Sequence, residues 1–284
     1  MAITYCNYCN SKIEKYQCLI DKGDHNFCNN KCFGLWNTGK QNSEKQKRVT
    51  SIRMQGNKYR LGKSPGNKKY YVYQDIFKNI DDEESAYWLG FILADGCVTI
   101  NNGYRFSIIS IDEDHLFKLK TYIGYTGNLV SYTKGTHTLN VNDKKFVINL
   151  INKDVVPRKT FKVKFPTNIK ENLLNHFIRG YWDGDGSISF STEHTYHNMY
   201  FSTTVLGTED FIKNLGKTLK EKCNLKSDTF HKMNKIYVLK RSMKQANKIC
   251  DYLYNNATIY LERKYKKYED YLKYTKFRGL HSDI

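Results

Sequence analysis

The chain of 284 residues carries 46 Lys and Arg against 28 Asp and Glu, a formal net charge of +18, and 40% of its residues are hydrophobic. That is enough apolar material for a sizeable core, which excludes a disordered tail, and the charge makes nucleic acid the simplest partner. No stretch approaches the roughly twenty apolar residues that span a bilayer, and the polar, Cys-bearing start does not read as a signal peptide, so an intracellular protein without membrane attachment is expected.

Five of the 8 Cys fall within the first 32 residues, and four of them form Cys6-x2-Cys9 and Cys28-x3-Cys32 with 18 residues between the pairs. Short turns of this kind can aim two thiolates each at a common centre about 2.3 Å away, the arrangement that tetrahedral zinc takes. A segment so short has little core of its own, so bound Zn2+ is expected to supply much of its folding free energy. Disulfides are disfavoured in a reducing compartment, and Cys18 and His25 lie inside the loop as substitute ligands. Four thiolates close the coordination shell, which makes the expected role structural and not catalytic.

From Lys40 through Tyr70 ten Lys and Arg face a single acid, Glu44, and Gly56, Gly62, Ser64, Pro65 and Gly66 break any regular pattern. The stretch reads as a basic arm that can follow a phosphate backbone and add salt-dependent affinity. The expected division is a zinc-finger-like module over 1–38, a basic linker over 39–80, a first repeat over 81–165 and a second over 166–284.

Asp81, Asp82 and Ser85 then offer caps for a helix ending Trp88-Leu89-Gly90-Phe91-Ile92-Leu93-Ala94-Asp95-Gly96. Ninety residues on, Ile178-Arg179-Gly180-Tyr181-Trp182-Asp183-Gly184-Asp185-Gly186 reads as its copy. Gly90/Ala94 and Gly180/Gly184 are i, i+4 pairs that leave one helix face nearly free of side chains. Two such faces can touch backbone to backbone, bringing Asp95 and Asp185 together, each before a Gly able to take the positive-φ turn that ends a helix. Two converging carboxylates make a candidate metal site.

After Gly96 the period becomes two: Cys97 to Ile100, a turn at Asn101-Asn102-Gly103, then Tyr104 to Ile111. A helix from about Glu113, a hairpin turning at Lys134-Gly135 and a helix from about Lys144 complete an αββαββα half. The second half repeats the order, with strands at Ser187 to Phe190, Met199 to Val205, Asp228 to Phe230 and Lys235 to Lys240, and helices at Glu209 to Lys222 and Met243 to Tyr254. Phe106-Ser107 recurs as Phe201-Ser202, and both halves close on a basic dipeptide, Arg158-Lys159 and Arg263-Lys264. Two copies of one unit imply pseudo-twofold symmetry.

The paired segments resemble the LAGLIDADG homing endonucleases in their single-chain, two-motif form, from about Ser85 to about Tyr271. The resemblance implies an α+β fold, a duplicated αββαββα core whose sheets form a DNA-binding saddle, with a small zinc-binding module in front. It implies that Asp95 and Asp185 bind Mg2+ and cut both strands of a long, pseudo-palindromic site in double-stranded DNA, and that Lys159 and Lys264 belong to the catalytic neighbourhood. Arg158 and Arg263 are expected at backbone phosphates. The sixth motif position is acidic in Asp183 but not in Leu93; since it is not the metal ligand, this departure bears on helix packing. Phe27-Cys28-Asn29-Asn30-Lys31-Cys32-Phe33-Gly34-Leu35-Trp36 is similar to the second knuckle of zinc modules attached to phage and mobile-intron nucleases. A monomer is expected, since duplication already supplies two sites. The alternative on the same fold is an intron RNA maturase or a non-cleaving DNA-binding regulator.

Overall fold

The computed structural model describes residues 2–21, 25–38, 70–101, 103–132, 135–157, 161–192 and 199–278. Most of the basic linker and the dipeptide Arg158-Lys159 lie outside the described residues. The chain divides into two compact units, Met1–Asn67 and Lys68–Ile284. Among the described residues no helix is long and apolar enough to cross a membrane.

In the first unit β1 (Ala2–Tyr5) pairs antiparallel with β2 (Lys12–Lys15), followed by α1 (Gln17–Ile20) and α2 (Asn30–Asn37). The Asn29 side chain accepts the backbone N–H of Cys32 and caps α2. Its small apolar centre is aromatic: Trp36 packs on His25 with 4.3 Å between ring centroids and on Phe27 with 5.2 Å.

The second unit begins its regular structure at α3 (Glu83–Asp95), which has a capping box: Asp82 accepts from the Ser85 backbone and the Ser85 hydroxyl accepts from the Asp82 backbone. Then follow β3 (Cys97–Thr99), β4 (Arg105–Ser110), α4 (Glu113–Tyr122), β5 (Val130–Tyr132), β6 (Thr136–Val141) and α5 (Lys144–Ile151). Gly103, at φ +105°, makes the hairpin turn between β3 and β4 that its Asn-Asn-Gly sequence predicts. The second half runs α6 (Leu174–Asp185), β7 (Gly186–Thr192), β8 (Met199–Gly207), α7 (Glu209–Lys222), β9 (His231–Met233), β10 (Ile236–Ser242), α8 (Met243–Tyr254) and α9 (Glu262–Phe277). The two antiparallel sheets have matching orders, β3-β4-β6-β5 and β7-β8-β10-β9.

Two elements depart from the sequence reading. β9 lies at His231–Met233 and not at Asp228 to Phe230, because a turn through Asn234, at φ +56°, sets the hairpin register Ile236 to Met233. Helix α9 was not anticipated: its inward positions are Lys264, Tyr268, Tyr271 and Thr275, and Tyr271 stacks on Phe201 of β8 with 3.9 Å between centroids.

The core is organised by α3 against α6. Both run through the centre of the unit with their middle turns buried, so neither shows an exposed polar face there. A Cβ on Gly90 would stand 2.1 Å from the Phe177 carbonyl oxygen and 2.8 Å from the Tyr181 nitrogen. A Cβ on Gly180 would stand 1.9 Å from the Tyr87 oxygen and 2.9 Å from the Phe91 nitrogen. Each contact maps onto the other by the ninety-residue offset of the motif copies, the pseudo-twofold expected from the repeat. Leu93, the departure from an acid, is itself buried in this core and packs without difficulty.

Candidate active site

Asp95 and Asp185 are the last residues of α3 and α6. The glycines after them do not make positive-φ turns: Gly96 has φ −71°, ψ 154° and Gly186 φ −101°, ψ 174°, so each helix passes straight into a strand. Glycine is needed for room. A Cβ on Gly96 would sit 2.6 Å from the Ile92 oxygen, and one on Gly186 2.5 Å from the Trp182 oxygen.

Close helix packing brings the two carboxyl-bearing ends together. A Cβ on Gly184 would meet that of Ala94 at 2.3 Å and lie 3.5 Å from both Cγ and Oδ2 of Asp95, so the Asp95 carboxylate lies beside the residue that precedes Asp185. Asp95 is exposed and Asp185 half-buried. Burial first, then the charge of Asp185 and also that of Asp95, hold the Tyr181 phenol well above its ordinary value. Two carboxylates at adjoining helix ends are oxygen donors of the kind a hard divalent cation such as Mg2+ takes, alongside retained waters. Such donors are compatible with the Mg2+ that the resemblance implies.

Lys264 is 4% exposed, and its ammonium donates to the carbonyls of Trp182 at 3.0 Å, Asp183 at 2.6 Å and Gly184 at 3.2 Å, and also to Gly186. The carbonyls of Asp183 and Gly184 belong to the last turn of α6, while that of Trp182 also accepts the Gly186 backbone N–H, so Lys264 caps the helix that carries Asp185 and answers its dipole. Burial lowers its pKa to about 8, opposed by the charges of Asp183, Asp95 and Asp185. In the unfolded chain this lysine stays protonated to about 10.5. Between these values the unfolded state binds the extra proton, so its contribution to stability rises with pH. Without divalent metal, the stability of the wild type relative to Lys264→Met should rise by about 3 kcal/mol from pH 7.5 to 10.5 in urea titrations. A flat difference would remove the buried ammonium.

Arg263 pairs with Asp112: its Nε donates to both carboxylate oxygens, at 3.1 and 2.9 Å. Lys159, the corresponding lysine of the first half, lies outside the described residues, as does Arg158.

A buried polar network behind the site went unread in the sequence. Asp183, 1% exposed, accepts from the Tyr87 hydroxyl at 2.8 Å, the Tyr254 hydroxyl at 2.6 Å and the Leu261 backbone at 2.8 Å. Since Tyr87 gives its proton to Asp183, His115 at 2.9 Å must donate to Tyr87 through Nε2. Burial drives the His115 pKa to about 3, so the ring is neutral with Nδ1 bare. One turn earlier Arg179, fully buried, donates to the carbonyls of Ile259 and Leu253 and to Glu83 at 2.6 Å. The available signal was the i, i+4 spacing of Arg179 and Asp183 on a helix otherwise apolar at these depths.

In the first unit the four predicted thiols meet. The Sγ atoms of Cys6, Cys9, Cys28 and Cys32 all lie within 4.8 Å of one another, with 3.7 Å between Cys9 and Cys28, 3.2 Å between Cys28 and Cys32 and 3.8 Å between Cys32 and Cys9. Zn–S bonds of about 2.3 Å in a tetrahedron put sulfurs about 3.8 Å apart, so the set fits zinc after small adjustments. Burial works against ionising Cys6, but backbone N–H groups of Cys9, Cys28 and Tyr8 outweigh it and bring the thiol down to about 6. Cys18 is exposed and His25 belongs to the aromatic cluster; neither joins the four. Chelation should release one Zn2+ per chain and unfold this unit alone, read as collapse of its amide resonances while those of residues 83–254 persist. Unmoved amide resonances after metal loss would refute a structural zinc.

A model of the LAGLIDADG-like domain matches residues 172–254, from the turn before α6 through α8. No curated protein matches the sequence. Among solved structures, a lysine-to-alanine mutant of I-SmaMI has a TM-score of 0.50 at 13% identity, over 69% of this chain and 92% of that one. LAGLIDADG meganuclease I-AabMI bound to uncleaved DNA gives 0.49 at 15% identity, over 70% and 92%. The LAGLIDADG homing endonuclease I-GzeII in complex with its DNA target gives 0.49 at 15% identity, over 72% and 93%. Residues 172–254 thus form a LAGLIDADG-like domain, and the second unit of the chain has the LAGLIDADG endonuclease fold.

Proposed function

We propose that the protein is a homing endonuclease that binds double-stranded DNA as a monomer and hydrolyses both strands within one long, pseudo-palindromic site. The observation that carries this reading is the convergence of Asp95 and Asp185 at the paired ends of α3 and α6. A net charge of +18 supports a polyanionic substrate. The solved relatives named above, two of them bound to DNA, are consistent with it.

Asp95 and Asp185 would hold Mg2+, which when bound supplies a water of lowered pKa and positive charge against the scissile phosphates. The chain's own residues fix the geometry. Gly90 and Gly180 set the helix separation, and Lys264 ties the last turn of α6, so the Asp185 carboxylate is held without reorganisation. Asp95, more exposed, stands where a phosphate can approach. Lys159 is assigned to the same neighbourhood by its place in the repeat. The zinc module over 1–38 and the basic linker over 39–80 add contacts that lengthen the bound site.

The test is cleavage of a randomised duplex library in Mg2+, with Ca2+ in place of Mg2+ as control, sequencing every new end. Staggered Mg2+-dependent breaks at one long site are expected, from protein that elutes as a monomer. Bound but uncut DNA would transfer the reading to a non-cleaving regulator, and preference for folded intron RNA to a maturase.

A further inference from the structure

The strand registers fix which side chains share the outer face of each sheet, and on the first sheet that face is apolar at its exposed edge. Phe106 and Ile108 of β4 are buried against the helices, so Arg105, Ser107 and Ile109 face outward. Ile109 pairs with Thr138, and Thr138 with Val130, so Ile109, Thr138 and Val130 form one row across β4, β6 and β5. Thr138 is sunk in the middle of the row, while Ile109 is 60% and Val130 42% exposed. Tyr132, on the same face of β5, is 57% exposed. The neighbouring row, Cys97, Ser107 and Asn140, is polar and follows directly from Asp95-Gly96.

An exposed aliphatic pair beside the row nearest the carboxylates needs a partner to justify its contact with water. In a major groove the apolar feature that side chains meet is the C5-methyl group of thymine. Resting on the DNA-cleaving reading above, we propose that Ile109 and Val130 read thymine methyl groups, making one half of the target site selective for 5-methylpyrimidines. Charge favours this occupant over an apolar protein surface: Arg105 lies on the same face in a chain of net charge +18. The second sheet offers different chemistry. Its row after Asp185-Gly186 is Ser187, Thr204 and Lys240, and the next presents Ser189 and Ser242 on either side of a buried Ser202; the exposed hydroxyls and the one cation suit hydrogen bonds to base edges. The two halves of a site are therefore read unequally.

The duplex recovered by binding selection from a randomised library in Ca2+ is remade with deoxyuridine for thymidine, one half at a time, and binding is measured with the full-length protein. Removing the methyl groups from one half should weaken binding about 10-fold, the magnitude of a few lost apolar contacts. The double variant Ile109→Ser, Val130→Ser should bind thymine and uracil duplexes within about 2-fold of each other, and both positions are exposed enough for the variant to keep its melting temperature. Site-specific binding that ignores the substitution in both halves, or a uracil penalty unchanged in the double variant, would overturn this assignment alone. Recovery of no duplex would overturn it together with the DNA-cleaving reading.

Discussion

Asp185→Asn should reduce double-strand cleavage by about 10³-fold while the protein keeps its fold and its affinity for DNA. Asparagine preserves the shape at the end of α6 and can still accept hydrogen bonds, but it lacks the charge that attracts a divalent cation. Each carboxylate ends its own helix, so each is assigned chiefly to one strand, and the mutant is expected to leave nicks from the Asp95 side. A supercoiled plasmid bearing the selected site separates the outcomes, since nicked circles and linear product migrate differently. Linear product formed at the wild-type rate would end the assignment of Asp185.

Gly180→Ala should have the largest effect on stability of any glycine-to-alanine change among the described residues. The new Cβ would lie 1.9 Å from the Tyr87 carbonyl oxygen and 2.9 Å from the Phe91 nitrogen, both backbone atoms inside a helix that cannot rotate aside. The two helices must part, opening voids around Trp88 and Trp182, for a loss of about 3 kcal/mol or more. In a unit of this size that is about 6–12 °C in Tm. Gly34→Ala is the matching control, because nothing lies within 4 Å of its Cβ position and alanine favours the helix there. Since the same separation aligns Asp95 with Asp185, cleavage by Gly180→Ala should fall further than the folded fraction does. Equal melting of both alanine variants would contradict the close helix packing.

Much of the fold was legible because its signals are local. The Gly/Ala spacing announced two helix faces without side chains, and the Asn-Gly turn with period-two runs announced the first hairpin. Helix α9 escaped because its inward residues are two tyrosines, a lysine and a threonine, so its amphipathic stripe vanishes on a simple apolar count. The registers that separate outward Ile109 from inward Ile108 needed strand pairs that sequence alone does not supply. At the site, the pairing of acids could be read from the repeat and the resemblance placed Lys264 beside them, but that Lys264 binds the carbonyls at the end of α6 needed the structure. The ion pair of Arg263 with Asp112 could not be read either, because 151 positions separate the two in sequence.

The Arg179 and Asp183 network is one-sided, and this limits how the halves can be exchanged. At the offset of ninety, Arg179 corresponds to Leu89 and Asp183 to Leu93, while their partners Glu83 and Tyr87 correspond to Leu173 and Phe177. Pairing two copies of the second half would set each guanidinium against leucine and each carboxylate against phenylalanine, so that Arg179 loses Glu83 and Asp183 loses Tyr87 while buried. Two copies of the first half would leave the half-buried Glu83 with no arginine to receive it. The chain has thus passed beyond a state in which either half could assemble with itself, and chimeras built from it must transplant Glu83, Tyr87, Arg179 and Asp183 as one block.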